Sequence, residues 1–243
     1  MGLKESGLRG SLRNVSVDIV AIPDSVVDNF EESDADPAGP YGDGDDLSTF
    51  YSGSLDQFDR TTSGPAINNH AVSTDAPNTN DHGIVSNEGD GLPRYPEPEE
   101  TVKALLKGDS SRTEPGLLFT AKHDENDDEI TAYGVIHRPT QDDWQIYKYQ
   151  NAAADELSEG RDILETNSVS LSTDDYYWYE VDTPDENGNF EVRVYELDNG
   201  ERGSEVDSSS QTDTDIDHTQ RGVGMFIGHE GSGGRIDEIE VLE

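Results

Sequence analysis

Cysteine is absent from the 243 residues, which excludes disulfides and thiolate metal sites. Lysine is scarce, at Lys4, Lys103, Lys107, Lys122 and Lys148 only. With 16 basic residues against 54 acidic ones, no basic stripe exists to neutralise phosphates, so nucleic-acid binding is not expected. No run approaches the roughly 18 apolar residues of a membrane-spanning helix, so membrane insertion is not expected either. Lys4, Arg9 and Arg13 precede no apolar stretch, and a secretory signal is therefore not expected. Helix signals are nearly missing: "NAAADELSEG" has room for a turn or two. No fixed-period repeat is visible, which argues against a propeller or solenoid. The six histidines (His70, His82, His123, His137, His218 and His229) stand apart in the sequence. They form no His-Glu-x-x-His or triad signature, and there is no nucleophile elbow or phosphate loop.

What is present is acid. The formal charge is −38 with only 31% hydrophobic residues, a balance close to that of disordered chains. Disorder does not fit, because alternating strand patterns persist through the second half and the acids spread over loops and outer strand positions. Adaptation to molar salt does fit. At about 1 M salt the Debye length is roughly 3 Å, which screens repulsion between surface carboxylates.

The pattern is that of many short strands. In "YYWYEVDTPDENGNFEVRVYELDNG", residues 176–200, Tyr177, Tyr179 and Val181 alternate, and so do Phe190, Val192 and Val194 beyond the turn. Further strands are expected in "GIVS", "TVKALLKG", "GLLFTAKHD", "ITAYGVIHR", "WQIYKYQ", "SVSLS", "GVGMFIG" and "RIDEIEVL". Residues 65–100 read as long loops around "GIVS". Short strands joined by turn-rich connections indicate an all-β, two-sheet antiparallel sandwich. Its core is expected to contain Tyr179, Val181, Phe190, Val192, Val194, Val223, Met225 and Ile239.

The order of elements, from "DNFE" through "DLSTFYSG" and "GLLFTAKHDENDDEITAYGVIHR" to "GVGMFIG" and "RIDEIEVL", resembles the concanavalin A-like, laminin-G-like jelly rolls. It is similar above all to those of haloarchaea and their tailed viruses. The resemblance spans residues 28–243 and implies two curved antiparallel sheets with the first and last strands side by side. Members bind glycans or other surfaces or serve as structural modules, and some relatives are glycoside hydrolases. The resemblance also implies a structural Ca²⁺ where the first and last strands meet, held by Asp28, Glu31 and Asp237 through hard oxygen ligands; the other reading of these acids is carboxylates solvated by Na⁺ or K⁺. A glycosidase needs two carboxylates facing each other across a cleft. The spacing of Asp237, Glu238 and Glu240 does not match the Glu-x-Asp-x-(x)-Glu strand of this superfamily's hydrolases. No enzyme activity is expected.

The face opposite the core alternation carries Trp178, Arg193 and Tyr195. With Trp144 and Tyr147 on a neighbouring strand, these five form a candidate glycan-binding surface of aromatic rings and hydrogen-bonding groups. The other reading of the same residues is an aromatic face covered by a long loop or by another subunit. Residues 1–27 differ from the rest: three basic and three acidic residues leave them neutral, and Val15, Val17 and Ile19 alternate. They read as an arm that docks on identical subunits or another virion protein, making the chain a homo-oligomer, or else as an edge strand of the 28–243 domain. The expected whole is a non-enzymatic structural or adhesion protein of a halophilic virus particle (a tail fibre, baseplate or capsid turret) facing host glycans or S-layer. A glycan-binding cell-surface or extracellular protein of a haloarchaeon is the alternative. Self-repulsion at low ionic strength predicts a lower thermal midpoint in about 0.2 M NaCl than in about 3 M; equal midpoints would refute the salt adaptation.

Overall fold

A computed structural model describes residues 26–34, 39–42, 45–76, 80–228 and 231–242. The strands in chain order are β1 (Val26–Asp28), β2 (Ser52–Gly53), β3 (Phe58–Thr61), β4 (Ala71–Ala76) and β5 (His82–Ser86). Then come β6 (Thr101–Lys107), β7 (Glu114–Asp124), β8 (Glu129–Arg138), β9 (Asp143–Ala153) and β10 (Arg161–Ser168). The last five are β11 (Tyr177–Asp182), β12 (Asn189–Asp198), β13 (Glu201–Thr212), β14 (Gly222–Gly228) and β15 (Gly231–Leu242). One sheet runs β13-β12-β11-β6-β15-β4-β3 with β1 beside β15, and the other runs β10-β9-β8-β7-β14-β5-β2. Every named pairing is antiparallel. The fold is the expected two-sheet jelly roll, with first and last described strands paired (Val26 opposite Glu240).

All eight residues expected in the core are buried there. The alternation that marked them is literal in the register, where Tyr179 stands opposite Val194 and Val181 opposite Val192. Val26 and Val27, at the end of the segment expected as an arm, are buried in β1 and belong to the sandwich; residues 1–25 lie outside the described residues. The alternation at Val15, Val17 and Ile19 lies outside the described residues. "SVSLS" is not a strand: β10 ends at Ser168, and its pairing with β9 starts earlier, at Arg161. The "NAAADELSEG" turn is a 3₁₀ turn over Leu157–Gly160.

The seven-stranded sheet is apolar on both faces. Its inner face carries Phe119, Tyr133, Trp144 and Met225, while its outer face carries Leu118, Ile136, Tyr149 and Phe226. Two-sided burial explains why "GLLFTA" and "GVGMFIG" read as unbroken apolar runs instead of alternating ones. On the outer face the Phe226 ring lies over Gly116 and Gly134, and Leu157 caps the neighbouring Gly83. A Cβ at Gly116 would stand 2.2 Å from Phe226 Cε1, well inside van der Waals contact. Gly116→Ala is therefore expected to overpack this layer by about 1–3 kcal/mol. Urea midpoints in high-salt buffer check this, and an unchanged midpoint would mean the ring is not seated there.

Candidate functional site

The outer layer of the seven-stranded sheet gives way, near β10, to a cavity of about 220 Å³ lined by Asp81, Glu114, Arg138, Gln145, Tyr147, Arg161 and Ile163. The topology assembles it from distant segments. Asp81 precedes β5, Glu114 opens β7, Arg138 closes β8, Gln145 and Tyr147 lie on β9, and Arg161 and Ile163 on β10. Register fixes the neighbours: Tyr149 faces Arg161 and Tyr147 faces Ile163 across the β9–β10 pair.

Two arginine–carboxylate pairs define its chemistry. Arg161 Nη1 lies 2.7 Å from Asp81 Oδ2, which also accepts from Tyr149 OH at 3.2 Å. The Arg161 guanidinium sits 4.8 Å from the centre of the Tyr147 ring. Tyr147 OH donates to Gln145 Oε1 at 2.5 Å, and Gln145 Nε2 donates to Thr166 Oγ1 at 2.9 Å. Across the cavity, Arg138 Nε donates to Glu114 Oε2 at 3.2 Å while its Nη1 pairs with Asp143 at 3.2 Å. With the amide oriented by its hydrogen bonds, Gln141 donates to Glu114 Oε1 at 2.6 Å and accepts from Arg112 at 2.8 Å. Gly228 separates the two carboxylates: a Cβ there would stand 3.3 Å from Asp81 Oδ1 and 3.6 Å from Glu114 Oε2. Burial pushes the Glu114 carboxyl up to about 7, against the pull of Arg138 and Arg112 and with help from Asp81. Burial also raises Asp81, against Arg161.

Exposure is graded from floor to mouth. The Asp81 and Glu114 side chains are 2% and 5% exposed, Arg138 and Arg161 17% and 29%. Ile163, on the rim, is 53% exposed and is the exposed large hydrophobic residue among those described. Three larger depressions, of about 450 Å³ beside Asp124 and Glu129, about 370 Å³ beside Asp174 and Glu196 and about 330 Å³ beside Glu191 and Ser210, are bordered by acidic and polar side chains, the second also by Tyr176 and Tyr177, and none contains an arginine.

Of the five expected ligand-binding residues, only Tyr147 borders this cavity, and its ring face is already covered by Arg161. Trp144 and Tyr147 are three apart on one strand and so lie on opposite faces. Trp144 is in the inter-sheet core, donating to Asp207 at 3.0 Å. Trp178 and Tyr195 do pair across the hairpin, but with Leu105 and Tyr176 they form a buried cluster against which Ile67 packs. Lys103 lies 4.0 Å from the Trp178 ring centre and Arg202 4.8 Å from that of Tyr195. Arg193 pairs with Asp182 and Glu191. The covering-loop reading describes this face: residues 63–68 are tied over it by Asp237, which accepts from the Ala66 and Ile67 amides at 2.7 and 2.8 Å. Glu238 accepts from Asn68 at 2.8 Å.

The expected metal ligands are used differently as well. Asp28 accepts from the Phe30 amide, Tyr41 and Tyr51, and Glu31 accepts from the His70 amide at 2.6 Å. Among the described residues no group of three or more His, Asp or Glu side chains is gathered as a metal would require. A bulge between Ile236 and Ile239 turns Asp237 to the 66–67 amides, while Asp28 is turned to the tyrosines. His123, isolated in the sequence, is joined to Ser52 Oγ at 2.7 Å and Asp128 at 3.0 Å. Its ring is buried, and the triplet ties β2 to the β7–β8 turn.

No protein-family model matches the chain, and no curated protein does. Among solved structures, it is similar to the carbohydrate-binding module CBM66 from Bacillus subtilis, with 11% identity and a TM-score of 0.49. That match covers 77% of this chain and 96% of the module. A Bacteroides ovatus glycoside hydrolase of family 16 matches at 10% identity and a TM-score of 0.45, covering 80% of this chain and 95% of the other. Caenorhabditis elegans galectin LEC-6 matches at 9% identity and 0.41, covering 79% and 100%.

Glu238 and Glu240 share a face of β15 and one proton. Burial and the adjacent Glu240 push Glu238 up. Burial also acts on Glu240, but the Glu238 hydrogen bond and Lys103, 2.5 Å away, hold it low. The folded chain thus keeps a proton that the unfolded chain releases above the ordinary carboxylic range, so stability falls as pH rises from about 5 through neutrality. Glu238→Gln, neutral at every pH, is expected to flatten that fall and to exceed the wild type above pH 7. Asp28 (raised to about 7), Asp237 (about 6) and Glu114 leave a residual slope of the same sign. Urea midpoints at pH 5, 7 and 9 measure it, and equal slopes in both proteins would disprove the shared proton.

Proposed function

We propose that the chain is a non-enzymatic structural or adhesion module that holds a glycan in the cavity between Arg138 and Arg161. The observation that carries this reading is the pairing of each arginine with a buried carboxylate beside an exposed Ile163. A sugar hydroxyl both donates and accepts, and neighbouring donor and acceptor groups meet both requirements. Ile163 offers a C–H surface for the apolar side of a ring. At about 220 Å³ the cavity is smaller than the ~300–1,000 Å³ of pockets that enclose drug-sized ligands, which suits one ring of a longer glycan.

Binding without turnover is supported by the engagement of both carboxylates. Asp81 is held by Arg161 and Tyr149, Glu114 by Arg138 and Gln141, so each has a fixed partner to lose before it attacks or shuttles a proton. The setting we propose is a halophilic virus particle, with the module facing the host. The charge of −38 and the resemblance in strand order to haloarchaeal virus proteins support it; a cell-surface protein of the archaeon is the alternative. Binding of a glycan panel in 3 M KCl tests the site. Arg161→Ala is expected to weaken the bound glycan at least about tenfold, as loss of a charge-assisted pair does, with no product released; because it also strips buried Asp81 of its partner, the melting midpoint falls, and binding is compared well below that midpoint. Unaltered binding by the variant would move the site elsewhere, and turnover would make the chain an enzyme. Antibody detection in purified particles separates the two settings.

A further inference from the structure

We infer that the sugar ring taken by this cavity carries a carboxylate, gripped by Arg161 and Arg138, and that a proton enters the site with it. The inference rests on the glycan-binding reading and specifies its ligand class.

Polarity is ordered by depth. A ligand arriving from solvent meets guanidinium donors first, because the carboxylates lie beneath them at 2% and 5% exposure. The carboxylates are partly spent within the protein: Asp81 Oδ2 accepts from Arg161 and Tyr149, and Glu114 from Arg138 and Gln141. The arginines retain donors, five per guanidinium in a fork that suits a carboxylate. The mouth therefore favours an acceptor-rich group, and a uronic acid supplies one on a pyranose ring. The Tyr147 face is covered by Arg161, so ring stacking, the usual means of holding a neutral sugar, is closed off at that residue. Ile163 remains for the ring's C–H edge.

Charge counting supplies the proton. The groups facing Glu114 are Arg138 from β8, Arg112 and Gln141 from the adjoining loops, and Asp81 from the segment before β5. Behind them stand Arg161 on β10 over Tyr147, His82 beside Asp81, and Asp143 on β9 against Arg138 with the exposed Asp142 next to it. Burial disfavours the charged form of His82, so with solvent-facing Asp142 set aside three arginines meet three carboxylates, which is neutral when all are ionised. An added carboxylate leaves one uncompensated negative charge in a confined site. Glu114 is the group placed to relieve it, since burial already holds it at about 7, and protonation frees Arg138 for the ligand.

Calorimetry of the full chain in 3 M KCl, with a uronic-acid oligomer and the same oligomer after carboxyl reduction, tests this at pH 5.5, 7 and 8.5. The acidic oligomer should bind at least about tenfold tighter than the reduced one, as expected for a charge-assisted pair. Its affinity should fall towards about tenfold per unit above pH 7, as uptake of one proton requires. Glu114→Gln should bind it with no such fall. Proton uptake, read as the dependence of the heat on buffer ionisation enthalpy, should approach one per site in the wild type at pH 8.5. That measurement stands even if the variant does not fold. Equal or better binding of the reduced oligomer, or wild-type binding without proton uptake, overturns the inference. If other glycans on the panel bind and the acidic oligomer does not, the inference fails and the glycan-binding reading stands. If no glycan binds, both fall.

Discussion

A carboxylate removed from water must be ion-paired, hydrogen-bonded or protonated, and here 54 acids share 16 bases. The structure meets that constraint by ranking its acids. Loop acids such as Asp185 and Asp217 remain in water, where backbone and side-chain hydrogen bonds hold their carboxyls low. Among buried acids, Asp81, Glu114 and Glu180 each have an arginine. Others have amides or hydroxyls instead of a cation, as with Asp237 and its two loop amides or Asp28 and its two tyrosines. Glu238 and Glu240 have one lysine between them and keep a proton. Positive charge is thus concentrated at a few buried positions, and one such concentration forms the candidate site.

The same distribution separates the two sheets. The eight-stranded sheet has an outer aromatic layer, but acids on the β15 bulge fasten residues 63–68 across it, so its tryptophan is structural. The seven-stranded sheet has an outer layer of its own, in which the Phe226 ring fills the space left by Gly116 and Gly134 and the segment after β9 adds Ala154 and Leu157. Its open end, where β10 adds Arg161 and Ile163, is left accessible. An apolar floor beneath paired charges keeps water from screening them and gives the arginines fixed positions.

The fold was legible wherever burial imposes a period. Tyr177, Tyr179 and Val181 against Val192 and Val194 announced a hairpin with one face inside, and the unbroken runs of β7 and β14 announced strands with two. β13 escaped notice because its twelve residues, "ERGSEVDSSSQT", lie largely exposed at a sheet edge and carry no apolar alternation. β10 hides its start for a similar reason: it begins at Arg161, seven residues before "SVSLS", and is largely half-exposed. The candidate site was barely legible. Asp81, Glu114, Arg138 and Arg161 sit at strand ends far apart in sequence, among acids too numerous for any one to stand out, and antiparallel pairing alone unites them. The available signal was rarity: an arginine on either side of β9, closing β8 and opening β10, in a chain with so few. The aromatic residues were a misleading guide, since Trp144 and Tyr147 cannot share a face and Trp178 lies beneath a loop.

The small cavity beside an edge strand also bears on how strongly one copy of the module can hold anything. A site that encloses a single ring gathers few contacts, and binding must first offset the loss of translational and rotational freedom. One copy would therefore release a polymer readily. Because no strand lies beyond β10 among the described residues, a glycan occupying the cavity can continue past that edge to a second copy. Copies linked at suitable spacing gain avidity by 10²–10⁴ without any new contact. Grip on a surface would then be set by the spacing and number of modules, and a single module could detach and rebind while the others hold.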